Sequence, residues 1–268
     1  MQLTSTDQVN PQYRHIYLQP HFDDAALSCG GTIGLQRATG QRVLVVTVFG
    51  GVPGKGAELS PFAARTHQKM GLGPNAAEAV EQRRAEETAA ADVLRADTLV
   101  LDFLDAIYRG SPALYSSEDA LFGNVNAADL ALDEELAGVL ARLRERAPQA
   151  VIYAPLGIGH HVDHQLVCSA ADRLAQRKLP VKFYEDFPYV AQPGALETRQ
   201  KELGIPMEPE LVEVSGMMRV KEEAVSQYSS QTPQLFGTQE AMRQALHGYS
   251  SSLRRSYPGI ELERYWRW

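Results

Sequence analysis

Cysteine is nearly missing from this chain: there are two residues, Cys29 and Cys168, in 268. Neither belongs to a CxxC pair and both fall in segments that read as helices, so small buried reduced thiols are expected rather than a disulfide framework. Long apolar runs are missing too. No stretch approaches the ~18 residues of a membrane-spanning helix. The opening MQLTSTDQVNPQYR is polar and lacks the apolar centre of a secretory signal. A cytoplasmic protein without a membrane span is therefore expected. Basic charge is not in excess: Lys+Arg number 26 against 33 Asp+Glu, a net charge of −7. Nucleic-acid binders usually carry a basic stripe, and anionic membrane surfaces select the same feature, so neither partner is expected. There are no internal repeats and no low-complexity tract. The glycine-rich Gly30–Gly34 segment lacks G-x-G-x-x-G spacing and lies inside a predicted helix. It reads as close helix packing rather than a phosphate loop.

What is present is a regular alternation of short apolar runs and longer helical patterns. Predicted strands cover His15–Gln19, Arg42–Phe49, Thr98–Phe103, Ala150–Pro155 and Val181–Glu185. Predicted helices cover about 24–39, 78–95, 129–146 and 162–177. Such alternation predicts an α/β fold, a doubly wound, Rossmann-like, mostly parallel sheet of five or more strands with helices on both faces. Two long connections, 50–77 and 106–128, follow strands and read as loops over the carboxyl edge of the sheet. After about Phe187 the alternation breaks, with a strand-like LVEVS and a helix over 219–228. Residues 1–268 read as one domain, with 187–268 as its C-terminal extension. The aromatic tail, Tyr265, Trp266 and Trp268, reads as docking on its own domain. His15, His67 and His247 are isolated, and surface or satisfied core positions are expected for them. Lys221, Tyr228 and Gln231 lie near the late helix, within reach of the crevice.

Two clusters carry chemistry. Pro20-His21-Phe22-Asp23-Asp24 directly follows the first predicted strand, and His160-His161-Val162-Asp163-His164 directly follows the fourth. In the order 3-2-1-4-5 these strands are neighbours at the switch point, where ligands bind outside the carboxyl ends. A catalytic zinc takes three ligands from histidine and carboxylate and keeps one position open. His21 and Asp24 are three apart, so a turn entering a helix places both on one side. Asp23 points elsewhere and stays free to handle a proton. His164 pairs with His161 or His160, and spacing does not choose between them. A phosphoacceptor receiver domain also has acidic residues after its first strand, but it leaves the second cluster unexplained.

PHFDD together with HVDH resembles the PIG-L/LmbE-like zinc-dependent de-N-acetylases, whose usual motifs are PHPDDE and HxDH. The resemblance covers roughly residues 14–175 and takes in Arg83-Arg84-Ala85-Glu86, similar to the family's RxxE helix, and Asp105 after the third strand. It implies one Zn²⁺ per chain held by His21, Asp24 and His164. It implies Asp23 as general base, a protonated His161 as oxyanion stabiliser, and Asp163 as the residue that orients the local histidines and favours the imidazolium. Arg83 and Asp105 would contact the sugar, and His160 stays outside the motif. The implied substrate is a small-molecule amino-sugar conjugate bearing an N-acetylglucosaminyl group. Another amidase on the same scaffold, or a non-catalytic metal- or sugar-binding relative, is the alternative. Self-association is left open. The family's proline is Phe22 here and its motif glutamate is Ala25, a departure that bears on rate and substrate range more than on the reaction.

Overall fold

A computed structural model describes residues 1–54, 56–254 and 259–268. In chain order the elements are β1 (Gln2–Leu3), β2 (Tyr13–Gln19), α1 (Asp24–Ala38), β3 (Arg42–Thr47), α2 (Pro61–Lys69), α3 (Ala76–Leu94), β4 (Asp97–Val100), α4 (Glu118–Leu121) and α5 (Leu130–Arg146). Then follow β5 (Val151–Pro155), α6 (Val162–Gln176), β6 (Val181–Tyr184), α7 (Ala195–Leu203), β7 (Glu208–Glu213), α8 (Met218–Val225), α9 (Thr232–Phe236), α10 (Gln239–Ser252) and β8 (Leu262–Arg267). They build one eight-stranded sheet in the order β1-β4-β3-β2-β5-β6-β8-β7. The five strands expected from the sequence are β2 to β6, and they lie in the expected 3-2-1-4-5 order.

The centre of the sheet is buried on both faces. That is why β3 reads as a continuous apolar run, with Val43 to Val46 almost fully covered. β2 pairs in parallel with β3 on one side and with β5 on the other, through His15↔Val151, Ile16↔Ile152 and Tyr17↔Tyr153. The carboxyl ends of β2 and β5 are therefore adjacent. β6, β8 and β7 pair antiparallel at the far edge.

The structure extends the sequence reading in three places. The 50–77 connection contains a helix, α2, started by Ser60, whose side chain accepts from the Ala63 N–H, and by Pro61 in the first turn. The second and third expected strands stop at Thr47 and Val100, not Phe49 and Phe103, and beyond them Phe49 and Asp102 form only an isolated bridge. The aromatic tail docks on its own domain as strand β8, where Trp268 stacks on Phe183 with centroids 3.9 Å apart.

That tail also grips α1. Glu263, on β8, accepts from the Gly31 and Thr32 N–H groups at 2.9 and 2.8 Å and from Lys221 at 2.8 Å. A side chain at Gly31 would place its Cβ 2.7 Å from Val214, so close packing explains this glycine. Cys29 and Cys168 are both buried and free. Among the described residues, no helix is long and apolar enough to cross a membrane.

Candidate active site

The turn from β2 into α1 presents the first cluster. Asp23 occupies the N-cap position with φ 113° and ψ −30°, and its side chain makes no capping hydrogen bond. An aspartate before a helix usually caps it; here the carboxylate is left to face the cleft. Asp24 turns back instead, accepting the His21 N–H at 2.8 Å. The second cluster enters α6 through a turn with positive φ at Gly157, Gly159 and His160. At Gly159 a Cβ would meet the Tyr189 ring at 2.5 Å, so the turn needs glycine on two counts. His161 is the N-cap of α6 and His164 lies in its first turn.

The two clusters meet. His21 Nδ1 lies 3.7 Å and His164 Nε2 lies 3.5 Å from the two oxygens of Asp24. These separations are long for hydrogen bonds. They are close to the spacing of about 3.3 Å between ligands held tetrahedrally at ~2.0–2.1 Å from zinc. The other nitrogen of each histidine is already committed to a carboxylate. His21 Nε2 is 2.8 Å from Asp163 and His164 Nδ1 is 2.6 Å from Asp186. Histidines anchored in this way, each with one nitrogen turned to a shared carboxylate, suit a metal ion.

Among the described residues, two sets of candidate ligand atoms lie within 4.8 Å of one another, and neither includes Asp24: His21, His161 and His164, and His21, Asp105 and Asp163. Asp163 is committed elsewhere, to Arg109 at 2.6 Å and to the Ala106 N–H at 3.0 Å. His161 uses Nδ1 to accept the Asp163 N–H at 3.2 Å. Asp24 has an oxygen 3.7 Å from His21 Nδ1 and the other 3.5 Å from His164 Nε2. The two neighbouring histidines point different ways. His160 turns outward to the Gly123 carbonyl, while the His161 ring lies 4.7 Å from that of His21.

Burial and neighbouring charge shift these groups strongly. Burial, reinforced by Asp24 and opposed by Arg83, pushes Asp23 up to about 8. Burial pulls His164 down, but Asp24 and Asp186 outweigh it and push it up to about 9. His21 is raised as well, since Asp105, Asp163 and Asp24 overcome its burial. Burial would raise Asp163, but Arg109 and His21 hold it low.

His161 departs from expectation. Burial first, and then His21, drive its pKa well below the usual histidine range, and Asp163 does not compensate. Without a metal ion, the imidazolium of His161 is disfavoured. Because Nδ1 accepts a backbone N–H, the neutral ring carries its proton on Nε2.

Arg83 and Asp105 line the same cleft, with Nη1 3.5 Å from the carboxylate. Asp105 also caps the turn that follows it, accepting from the Ile107 N–H. Glu86 binds Ser229 and the Ser230 N–H, and the neighbouring Gln231 reaches the cleft. Lys221 does not reach it, being buried against Glu263. Tyr228 is spent on Glu87 at 2.8 Å. His67 is a satisfied core histidine, between the Gly73 carbonyl and the Tyr108 hydroxyl.

Sequence reasoning missed Asp186, Arg109 and Glu87. Only Asp186 had a signal, an acidic residue directly after the fifth strand. At position 25, buried Ala25 leaves no carboxylate, and its N–H donates to Gln19 at 3.0 Å.

Known proteins resemble this chain along most of its length. A 2'-N-acetylparomamine deacetylase of Niallia circulans is 31% identical over 234 residues, covering 83% of this chain and 82% of the relative. Its counterpart from Streptomyces fradiae is 30% identical over 233 residues, covering 82% and 74%. Among solved structures, the zinc-inhibited form of a teicoplanin deacetylase superposes with a TM-score of 0.77 at 29% identity, covering 94% of this chain and 97% of that one. Residues 16–175 match the family described as PIG-L, GlcNAc-PI de-N-acetylase. The chain belongs to the PIG-L family.

Proposed function

We propose that this chain is a zinc-dependent hydrolase that removes the N-acetyl group from an N-acetylglucosaminyl-type small molecule. The observation that carries the reading is the convergence of His21 Nδ1 and His164 Nε2 on Asp24, at 3.7 and 3.5 Å, beside an uncommitted Asp23 in one cleft. His21, Asp24 and His164 would hold one ion. Bound there, zinc supplies a Lewis acid and lowers the pKa of its water from 15.7 towards ~7.

The side chains divide the remaining work. Asp23 takes a proton from the water that attacks the acetamide carbon. Once protonated, Asp23 returns that proton to the departing amine. His161 donates its Nε2–H to the developing oxyanion, which a neutral imidazole does without carrying charge. One such donor is worth about 2.7–4 kcal/mol of barrier. Asp163 orients His21 from behind, and Arg83 and Asp105 contact the sugar. The whole chain acts as one domain, with 187–268 as an extension; the pairing of β6 with β8 and of β8 with β7 supports this.

Elemental analysis of the purified chain, followed by amine-release assays on a panel of N-acetylglucosaminides, tests the reading. About one zinc per chain and zinc-dependent amine release are expected. His164→Ala should lose most of the metal, and His160→Ala should keep it. Full activity in a metal-stripped chain, or unchanged metal content in His164→Ala, overturns the reading.

A further inference from the structure

The cleft at the histidines has a volume of about 150 Å³ and is lined by two kinds of side chain, an ionic floor and a more apolar wall. The floor is ionic: His21, Asp23, Asp24, Arg83, Asp105, His161 and His164 all lie there. The wall is mixed: Phe62, Met70, Leu121, Phe122, Phe187 and Leu235 line it beside the polar Thr66, Gln231 and Gln234.

This wall comes from separate parts of the chain. Phe62 and Met70 belong to the 50–77 connection and Leu121 and Phe122 to the 106–128 connection. The two connections share a small core of their own, in which Phe62, Ile107, Leu121 and Val162 pack together. The wall is thus built, not draped. Phe122 stays 37% exposed although its ring lies 5.4 Å from that of His161 and 6.0 Å from that of Tyr189. A large aromatic ring left open beside a reactive centre is a surface for a ligand to cover.

The polar groups on the wall offer a cation little. Its one lining carboxylate outside the floor, Glu118, is paired with Lys69 at 2.7 Å.

Resting on the de-N-acetylase reading above, we infer that the acetylated sugar arrives joined to an apolar, ring-bearing aglycone, which lies against Phe122, Phe187 and Leu235 while the acetamide reaches the floor. A hydrophilic, multiply cationic aglycone would meet on this wall only Glu118, which Lys69 already pairs.

The test uses the metal-loaded full chain and three N-acetylglucosaminides, with methyl, phenyl and diamino-sugar aglycones. The phenyl compound should exceed the methyl one in kcat/KM by about tenfold, chiefly through KM, from the apolar area it buries. The diamino-sugar compound should be the poorest. Equilibrium titration with methyl and phenyl glucosides that lack the acetamide gives a readout without turnover, and the phenyl compound should again bind more tightly. Phe122→Ser and Leu235→Ser should narrow both phenyl-to-methyl ratios, and Phe122→Leu should largely restore them. Equal rates for phenyl and methyl compounds, or preference for the diamino-sugar, would overturn the apolar aglycone and leave the de-N-acetylase reading standing. Tight phenyl glucoside binding with no amine released from any of the three would overturn the de-N-acetylase reading and leave the apolar wall standing.

Discussion

Asp186 holds His164 by its Nδ1 at 2.6 Å, although the two stand on different strand-to-helix connections. The other Asp186 oxygen accepts the Ile158 N–H at 2.9 Å, so one carboxylate fixes both the ring and the turn that leads to it. With Nδ1 engaged, Nε2 is the nitrogen offered to the cleft. Such partners typically change metal affinity by 10–100-fold. Asp186→Asn should therefore weaken zinc binding by about that factor while the chain keeps its secondary structure. Competition with a chelator of known affinity measures this; unaltered affinity would show that His164 orients itself without help.

Asp23 and Asp24 are neighbours with different expected losses. Asp23→Asn should keep the metal and lose amine release by about 10²–10⁴-fold, as for removal of a general base. Asp24→Asn should lose metal and activity together. Metal content measured beside rate separates the two. Near-normal turnover in a loaded Asp23→Asn enzyme rules out the base.

Loading the site should release protons. His164, pushed up to about 9, and Asp23, pushed up to about 8, both carry protons at pH 7 in the metal-free chain. A ligand nitrogen must be deprotonated, and a nearby dication favours the ionised carboxylate. The heat of zinc binding should therefore vary with the ionisation enthalpy of the buffer, and apparent affinity should rise with pH up to about 9. Identical heats in all buffers would contradict the protonation states assigned here.

His247 lies far from this chemistry, between Glu222 at 2.6 Å and Glu261. Burial works against its charge, but the two carboxylates outweigh it and raise its pKa. Arg243 also faces Glu222 and shares that carboxylate. A histidine raised on folding contributes stability that is complete below its unfolded pKa of ~6.5 and is lost as pH rises through the folded value. The Tm difference between wild type and His247→Gln should thus be largest in mild acid and shrink above neutrality. The effect is small because the side chain is 41% exposed and solvent screens it. A gap that widens with pH would contradict the sign.

Much of the sheet was legible in the sequence because buried parallel strands are apolar throughout and their connections are helical. The two clusters were legible for a related reason: short motifs at strand ends carry their own chemistry, and the order of five strands brings them together. What stayed hidden depends on contacts between distant positions. Spacing could not select His161 over His160; the positive φ of His160, 66°, turns it outward. The lowered pKa of His161 comes from burial and from His21, neither readable from the local HHVDH run. Strand β8 was missed because its aromatic residues looked like a tail, and Glu263 shows its purpose only when α1 lies beside it.

Asp23 places a side chain where the backbone asks for none. A φ of 113° is glycine territory, and a non-glycine residue held in such a region costs of order 1–3 kcal/mol. Asp23→Gly would release that strain and remove the carboxylate in the same substitution. With Asp23 as the proposed general base, heat tolerance and turnover are set against each other at a single residue. A library screened only for thermal survival would be drawn towards inactive chains that melt later than the parent, so stability gains in this enzyme have to be selected with activity in view.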